Sequence, residues 1–212
     1  MTAAKQIQLL SVDDYLAGEV VAKKKHEYAG GYVYAMAGGR NVHNMIAGAF
    51  FGIIFGKLRG RPCQPFNSDT KVRIRMPTHT RFYYPDGMVV CEPNSPGDSF
   101  QDRPVVIAEV ASLSTRRTDE GEKRDAYLTI PTLTAYLLIE TERPRVVVHH
   151  RTPDGFVARV YEGIEATVPL DAIGTELSLT ELYERVDFAV AIREADEEAE
   201  EWGFPREPER QI

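Results

Sequence analysis

The sequence predicts an α/β fold, with a central mixed β-sheet flanked by helices and extra strands near the N-terminus. Three observations predict it. Pro104 to Ala111 (PVVIAEVA) is apolar almost throughout, as a strand buried on both faces should be. Segments such as SDTKVRIRM at 68–76 alternate with the period of two that marks sheet strands. Segments with helical caps and spacing lie between the strands, so the two element types interleave.

The elements follow in order. Ser11, with Asp14 three residues on, reads as a helix start, and SVDDYLAGEV continues for one or two turns. A basic run (Lys23, Lys24, Lys25) leads through His26-Glu27-Tyr28 to Gly30-Gly31, a tight turn into the alternating strand GYVYAM. A long helix is expected from about Asn41 to Leu58. Its Gly48, Gly52 and Gly56 share one face, read as close packing inside the domain. Val72 and Ile74 occupy one side of the 68–76 strand, with Lys71, Arg73 and Arg75 on the other. Across a Pro77-Thr78-His79 turn, Phe82 to Val90 is expected as its antiparallel partner. After the apolar strand comes a helix from about Asp119 to Ile130, closed by Pro131. AYLLIE, RVVVHH and GFVARVYE make three more strands, and LSLTELYERV a final amphipathic helix.

Length and charge bound the function. The 212 residues fit one domain, taken as 1–189, with an acidic tail at 190–212. The net charge is −7, but the tail holds eight acids against three arginines, which leaves −2 for the body. Bulk positive charge is therefore not how this chain would meet nucleic acid. The basic runs at 23–25, 57–61 and 71–75 still offer local contacts. Cys63 and Cys91 have no CxxC spacing, so neither a disulfide nor a zinc site is expected, and a reducing cytoplasm is the default. Met45 to Phe55 is too short to span a bilayer, which takes about 20 residues, so no membrane partner is expected.

Two carboxylates lie where burial should exclude them. Glu109 interrupts the apolar run, and Asp86 follows Pro85 with Met88, Val89 and Val90 behind it. A charge inside a buried strand costs several kcal/mol unless it is paired or binds a metal. On neighbouring strands the two acids could converge on one hard cation. Lys123 shares a helix stripe with Ala126, Tyr127 and Ile130 at i, i+3, i+4 and i+7, which would turn its amine toward the core. The alternative is an exposed Asp119–Lys123 pair.

In order, these residues carry a resemblance. Tyr84-Pro85-Asp86 followed by Glu109-Val110-Ala111-Ser112 resembles the PD-(D/E)xK nuclease superfamily. Within it, the chain is similar to a bacterial restriction-endonuclease family first described as a domain of unknown function. Ordered blocks carry the similarity from about Ser11 to Val186, among them KHEYAGGYVYAMAGG at 25–39, YYPDGMVVCE at 83–92, VIAEVASLST at 106–115 and DEGEKRDAY at 119–127.

The resemblance implies a restriction-endonuclease-like fold and Mg²⁺-dependent hydrolysis of DNA, with Mn²⁺ as a substitute. It makes Asp86 and Glu109 the metal-binding acids. The superfamily's lysine, expected two residues after Glu109, is replaced by Ala111, and the family moves it to the following helix, here Lys123. Glu27 matches a further acid near such sites, and Asp69 with Lys71 matches another block. Lys71 and Arg116 are candidates for phosphate contact, with Arg117 beside the latter. Lys71 could instead serve as the catalytic lysine, or belong to the solvated stripe. His43 reads as a core or cap histidine, His149-His150 as a surface strand end, and Tyr127 as packing. A homodimer through the glycine face is conceivable. The rival function is a non-cleaving nucleic-acid-binding or assembly module on the same scaffold, motivated by Ala111 and the near-neutral body.

Overall fold

The computed structural model describes residues 9–36, 38–111 and 119–202. The first helix, α1 (Val12–Val21), starts where Ser11 Oγ accepts the Asp14 N–H at 3.1 Å. Strands β1 (His26–Ala29) and β2 (Tyr32–Ala35) form a hairpin through Gly30 and Gly31, at φ 58° and 100°. A two-residue hairpin turn with both central residues at positive φ favours glycine at both places.

The long helix α2 (Asn41–Lys57) buries Ile46, Phe50 and Ile54, with Leu58 one turn beyond. The glycine reading is corrected here. Gly48, Gly52 and Gly56 are exposed, and a Cβ added at any of them would meet nothing within 4 Å. Close packing occurs instead at Gly87, where a Cβ would stand 2.5 Å from the Phe50 ring. Gly87→Ala is therefore expected to cost about 1–3 kcal/mol by overpacking. A lower urea midpoint at unchanged slope would register that loss, and an unchanged midpoint would refute it.

Two sheets carry the fold. The smaller contains β1 and β2 with β4 (Lys71–Arg75), β5 (Thr80–Tyr83) and the short β7 (Phe100–Gln101), in the order β2-β1-β5-β4-β7. The larger contains β3 (Gln64–Asn67), β6 (Gly87–Val90), β8 (Pro104–Ala111), β9 (Ala135–Glu140), β10 (Arg145–Thr152) and β11 (Gly155–Glu162). Its order is β11-β10-β9-β8-β6-β3, mixed because β8 and β9 run parallel while the other pairs are antiparallel. The α/β architecture with a central mixed sheet and extra N-terminal strands is as the sequence predicts.

One predicted strand divides. Phe82 to Val90 does not run on as a single partner of β4: β5 ends at Tyr83 in the smaller sheet, and β6 starts at Gly87 in the larger. Proline cannot donate to a ladder, so Pro85 breaks the strand and Tyr84-Pro85-Asp86 crosses between sheets. Asp86 stands at that crossing. The predicted helix near 119–130 is also irregular. A π-type turn (Asp119–Lys123) leads into the short α3 (Arg124–Tyr127).

Beyond β11, β12 (Thr167–Leu170) pairs with β13 (Thr175–Ser178), so the predicted helix LSLTELYERV begins as strand and continues as one turn, α4 (Leu179–Leu182). The acidic segment is helical as α5 (Phe188–Trp202), and the Phe188 ring lies 5.4 Å from that of Tyr183. Among the described residues, no helix is long and apolar enough to cross a membrane.

The expectation of unpaired cysteines is overturned. Cys63 and Cys91 form a disulfide. They flank the cross-strand pair Gln64↔Val90 of β3 and β6, so sheet register brings them together, which spacing along the chain does not reveal. The cysteine argument for a reducing compartment loses its premise.

A second polar anchor fixes the loop before β7. Arg73 donates to both Asp102 oxygens at 2.7 Å, and Asn94 Nδ2 adds a bond at 3.0 Å. Burial pushes the Asp102 carboxyl up, but these donors outweigh it and hold it below its usual 3.8. The stabilisation from a depressed carboxyl is full above its unfolded value and lost as pH falls through the folded one. Asp102→Asn is therefore expected to lose about 1–3 kcal/mol at pH ~7. The deficit should shrink on acidification below about pH 4 in urea titrations, and a pH-independent deficit would contradict the ion pair.

Candidate active site

Glu109 sits near the C-terminal end of β8, 3% exposed. Gly87 pairs with Ala108 across β6 and β8, so continuing the register by one residue brings Asp86 opposite Glu109. Each carboxylate is held by the other's strand. Glu109 Oε2 accepts the Asp86 N–H at 3.2 Å, and Asp86 Oδ2 accepts the Val110 N–H at 2.8 Å. Asp86 Oδ2 also lies 3.1 Å from His43 Nε2, one turn into α2.

From the other side comes α3. Tyr127 donates its hydroxyl to Glu109 Oε1 at 2.7 Å, and Lys123 Nζ lies 3.8 Å from the same oxygen. Burial first, and the charge of Glu109 second, raise the Tyr127 phenol well above its usual range, so it stays protonated as a donor. The Lys123 amine is 2.8 Å from Glu27 Oε1 and 5.5 Å from the centre of the Tyr83 ring. Glu27 reaches in from β1, accepting the Tyr84 N–H at 3.4 Å. The core-facing reading of Lys123 holds, because Lys123, Ala126, Tyr127 and Ile130 are all buried.

Position 111 explains where the amine comes from. Ala111 is fully buried and belongs to the same core cluster as Ile107, Ala126 and Tyr127. A lysine two residues after Glu109 would have to enter that core. Lys123, in the turn that leads into α3, brings an amine to within 3.8 Å of Glu109 instead.

Asp86, Glu109, Lys123 and Glu27 thus meet, although four separate segments carry them. His43 and Tyr127 join them, one read from sequence as a core or cap residue and the other as packing. Nothing in either one's local pattern differs from an ordinary buried side chain, and only tertiary contact places them beside the carboxylates. Lys71 goes elsewhere. It leaves the solvated stripe, buries to 4% exposure, and donates to Tyr84 Oη at 3.2 Å. Asp69 shares no strand face with it, but lies in the turn before β4 and pairs with Lys25 at 2.5 Å. Arg116 and Arg117 lie outside the described residues.

Residues 12–181 match the model of the Uma2 family, described as "Putative restriction endonuclease". The chain belongs to that family. It is also 31% identical to the uncharacterized protein slr1290 of Synechocystis sp., over 84% of this chain and 94% of that one. A second Synechocystis protein, the uncharacterized sll1609, is 30% identical, over 73% of this chain and 88% of its own length. Among solved structures, a putative nuclease from Anabaena variabilis superposes with a TM-score of 0.66. It has 17% identity and covers 82% of this chain and 98% of that one, which establishes the shared fold. The family match and the shared fold together support the assignment to the PD-(D/E)xK nuclease superfamily, with a restriction-endonuclease-like core.

The donor set suits a hard divalent cation. Asp86 and Glu109 offer oxygen alone, with no thiolate beside them. Among the described residues, no three His, Cys, Asp or Glu side chains surround one point. A cation held by these two carboxylates would complete its sphere with water or phosphate oxygens, which is the habit of Mg²⁺.

Proposed function

We propose that this protein is a Mg²⁺-dependent endonuclease that hydrolyses phosphodiester bonds of DNA. The observation that carries the reading is the meeting of Asp86, Glu109 and the Lys123 amine, brought together from three separate segments. Asp86 and Glu109 would hold the ion. When bound, Mg²⁺ or Mn²⁺ supplies positive charge against the phosphate and acidifies neighbouring water.

The remaining steps belong to the chain itself. Lys123 Nζ orients the attacking water and offsets charge that develops on the phosphate. Glu27, 2.8 Å from that amine, accepts the proton as the water oxygen bonds to phosphorus. The bond from phosphorus to the leaving sugar oxygen breaks, and that oxygen takes a proton from solvent. Tyr127 and His43 orient Glu109 and Asp86.

One observation favours a second reading. Lys123 lies nearer Glu27, at 2.8 Å, than Glu109, at 3.8 Å, so the amine could simply lock a non-cleaving nucleic-acid-binding module. Incubating plasmid and oligonucleotide DNA with wild type and Asp86→Ala, in Mg²⁺ and in Mn²⁺, separates the two. Metal-dependent cleavage by wild type alone supports the enzyme. Salt-dependent DNA binding that is indifferent to metal, with no cleavage, supports the module.

A further inference from the structure

A cleft of about 560 Å³ is lined by residues of both sheets, with Tyr84 in its wall. The edge strand β3 contributes Gln64 and Phe66 to one wall. The segment after α1 and residues 93–99 close the others. Four lysines line it, Lys23, Lys24, Lys25 and Lys71, against the carboxylates of Glu19, Asp69 and Asp98.

Two of those acids are already matched. Glu19 contacts His26 Nδ1 at 2.8 Å and accepts from Tyr84 Oη at 2.8 Å, while Asp69 pairs with Lys25. Among the described residues Lys23, Lys24 and Lys71 make no ion pair. Lys71 is the telling one. Its amine is buried, its hydrogen bond goes to a neutral phenol, and burial draws its pKa down against the partial support of Glu19. An anion in the cleft would add to the support that Glu19 gives this ammonium through the shared Tyr84 hydroxyl.

The cleft adjoins the nuclease centre through one residue. The Tyr84 ring forms its wall, with Lys71 Nζ 5.2 Å and Lys25 Nζ 5.5 Å from the ring centre. The backbone N–H of the same residue donates to Glu27, and Asp86 follows two residues later. Across β3 and β6, Phe66 pairs with Met88 and Asn67 with Gly87, so the β3 wall also begins beside Asp86.

We propose that this cleft takes one unpaired nucleotide of the nucleic-acid substrate, its phosphate against Lys71 and its base against Phe66. The protein then cuts beside a single-stranded or flipped-out nucleotide rather than within undistorted duplex. This rests on the nuclease reading and names its substrate class. The volume is that of a site for one small ligand. A paired base would have to leave its stack to fill it, and extruding one costs a few kcal/mol, least where it is already unpaired. Phe66 offers an aromatic face, and Gln64, Ser95 and Ser99 offer polar atoms to a base edge.

The test uses the full chain and two probes. Calorimetry measures binding of dAMP, and cleavage in Mg²⁺ compares a blunt duplex with the same duplex carrying a short single-stranded flap. Wild type is expected to bind dAMP in a salt-sensitive way and to favour the flap at least about tenfold in kcat/KM. Lys71→Met removes the buried cation, and Ser99→Trp fills the cleft from an exposed position, which keeps the test valid if the first variant folds poorly. Both should weaken dAMP binding about tenfold and draw the cleavage ratio toward one. The inference is overturned if wild type does not bind dAMP, if both variants keep wild-type affinity, or if wild type cuts both substrates equally. Loss of dAMP binding in the variants with no cleavage of any substrate would uphold the cleft and sink the catalytic reading instead.

Discussion

Asp86→Asn is expected to reduce Mg²⁺-dependent cleavage by roughly 10³-fold or more, about 4 kcal/mol of transition-state stabilisation. The substitution removes one negative charge and keeps the shape. Asparagine can still accept the Val110 N–H that Asp86 Oδ2 accepts now, so the crossing between the sheets should survive. Thermal unfolding should then shift by only a few degrees, the equivalent of about 1 kcal/mol in a chain of this size. Divalent-ion affinity should fall with activity, because a neutral amide is a poor ligand for a hard cation. Calorimetric Mn²⁺ titration beside the cleavage assay gives both readouts. A variant that cuts at the wild-type rate would remove Asp86 from the site. One that loses activity only because it unfolds would show a far larger thermal shift.

The carboxylates were legible because each contradicts its surroundings. Glu109 is a charge inside an apolar strand, and a structure must answer such a residue with partners, here Tyr127, Lys123 and the Asp86 N–H. Lys123 was legible by periodicity even though a π-type turn precedes α3, because its spacing to Tyr127 is kept. The errors have physical causes too. Ile46, Phe50, Ile54 and Leu58 recur every four residues, and so do Gly48, Gly52 and Gly56. The two sets are offset by two residues, about 200° around the helix, so they lie on opposite faces. Spacing alone does not say which face is the core, and the larger side chains decided it. The break at Pro85 was masked by the apolar residues that follow it. The disulfide, the Lys71 cleft and the His43 contact depend on register between elements distant in sequence, which no local pattern encodes.

Lys123→Met should lower cleavage about 10²–10³-fold, the loss typical of one donor aimed at developing negative charge. Its second signature runs opposite to that of Asp86→Asn. The amine is 3.8 Å from Glu109, so in the intact protein it repels any cation held there. Removing it should leave divalent-ion binding unchanged or tighter while catalysis collapses. A metal ligand cannot behave in that way, so the two variants separate holding the ion from acting on the water. Restoring a lysine at the superfamily's usual place should not help. Ala111 is packed with Ile107, Ala126 and Tyr127, so Ala111→Lys would overpack that core by about 1–3 kcal/mol and bury an unpaired charge. The double variant Lys123→Met/Ala111→Lys is therefore expected to be less stable than Lys123→Met and no more active. Recovery of cleavage in the double variant would mean that the strand can present the amine after all, and that the core around Ala111 does not dictate its move to the turn before α3.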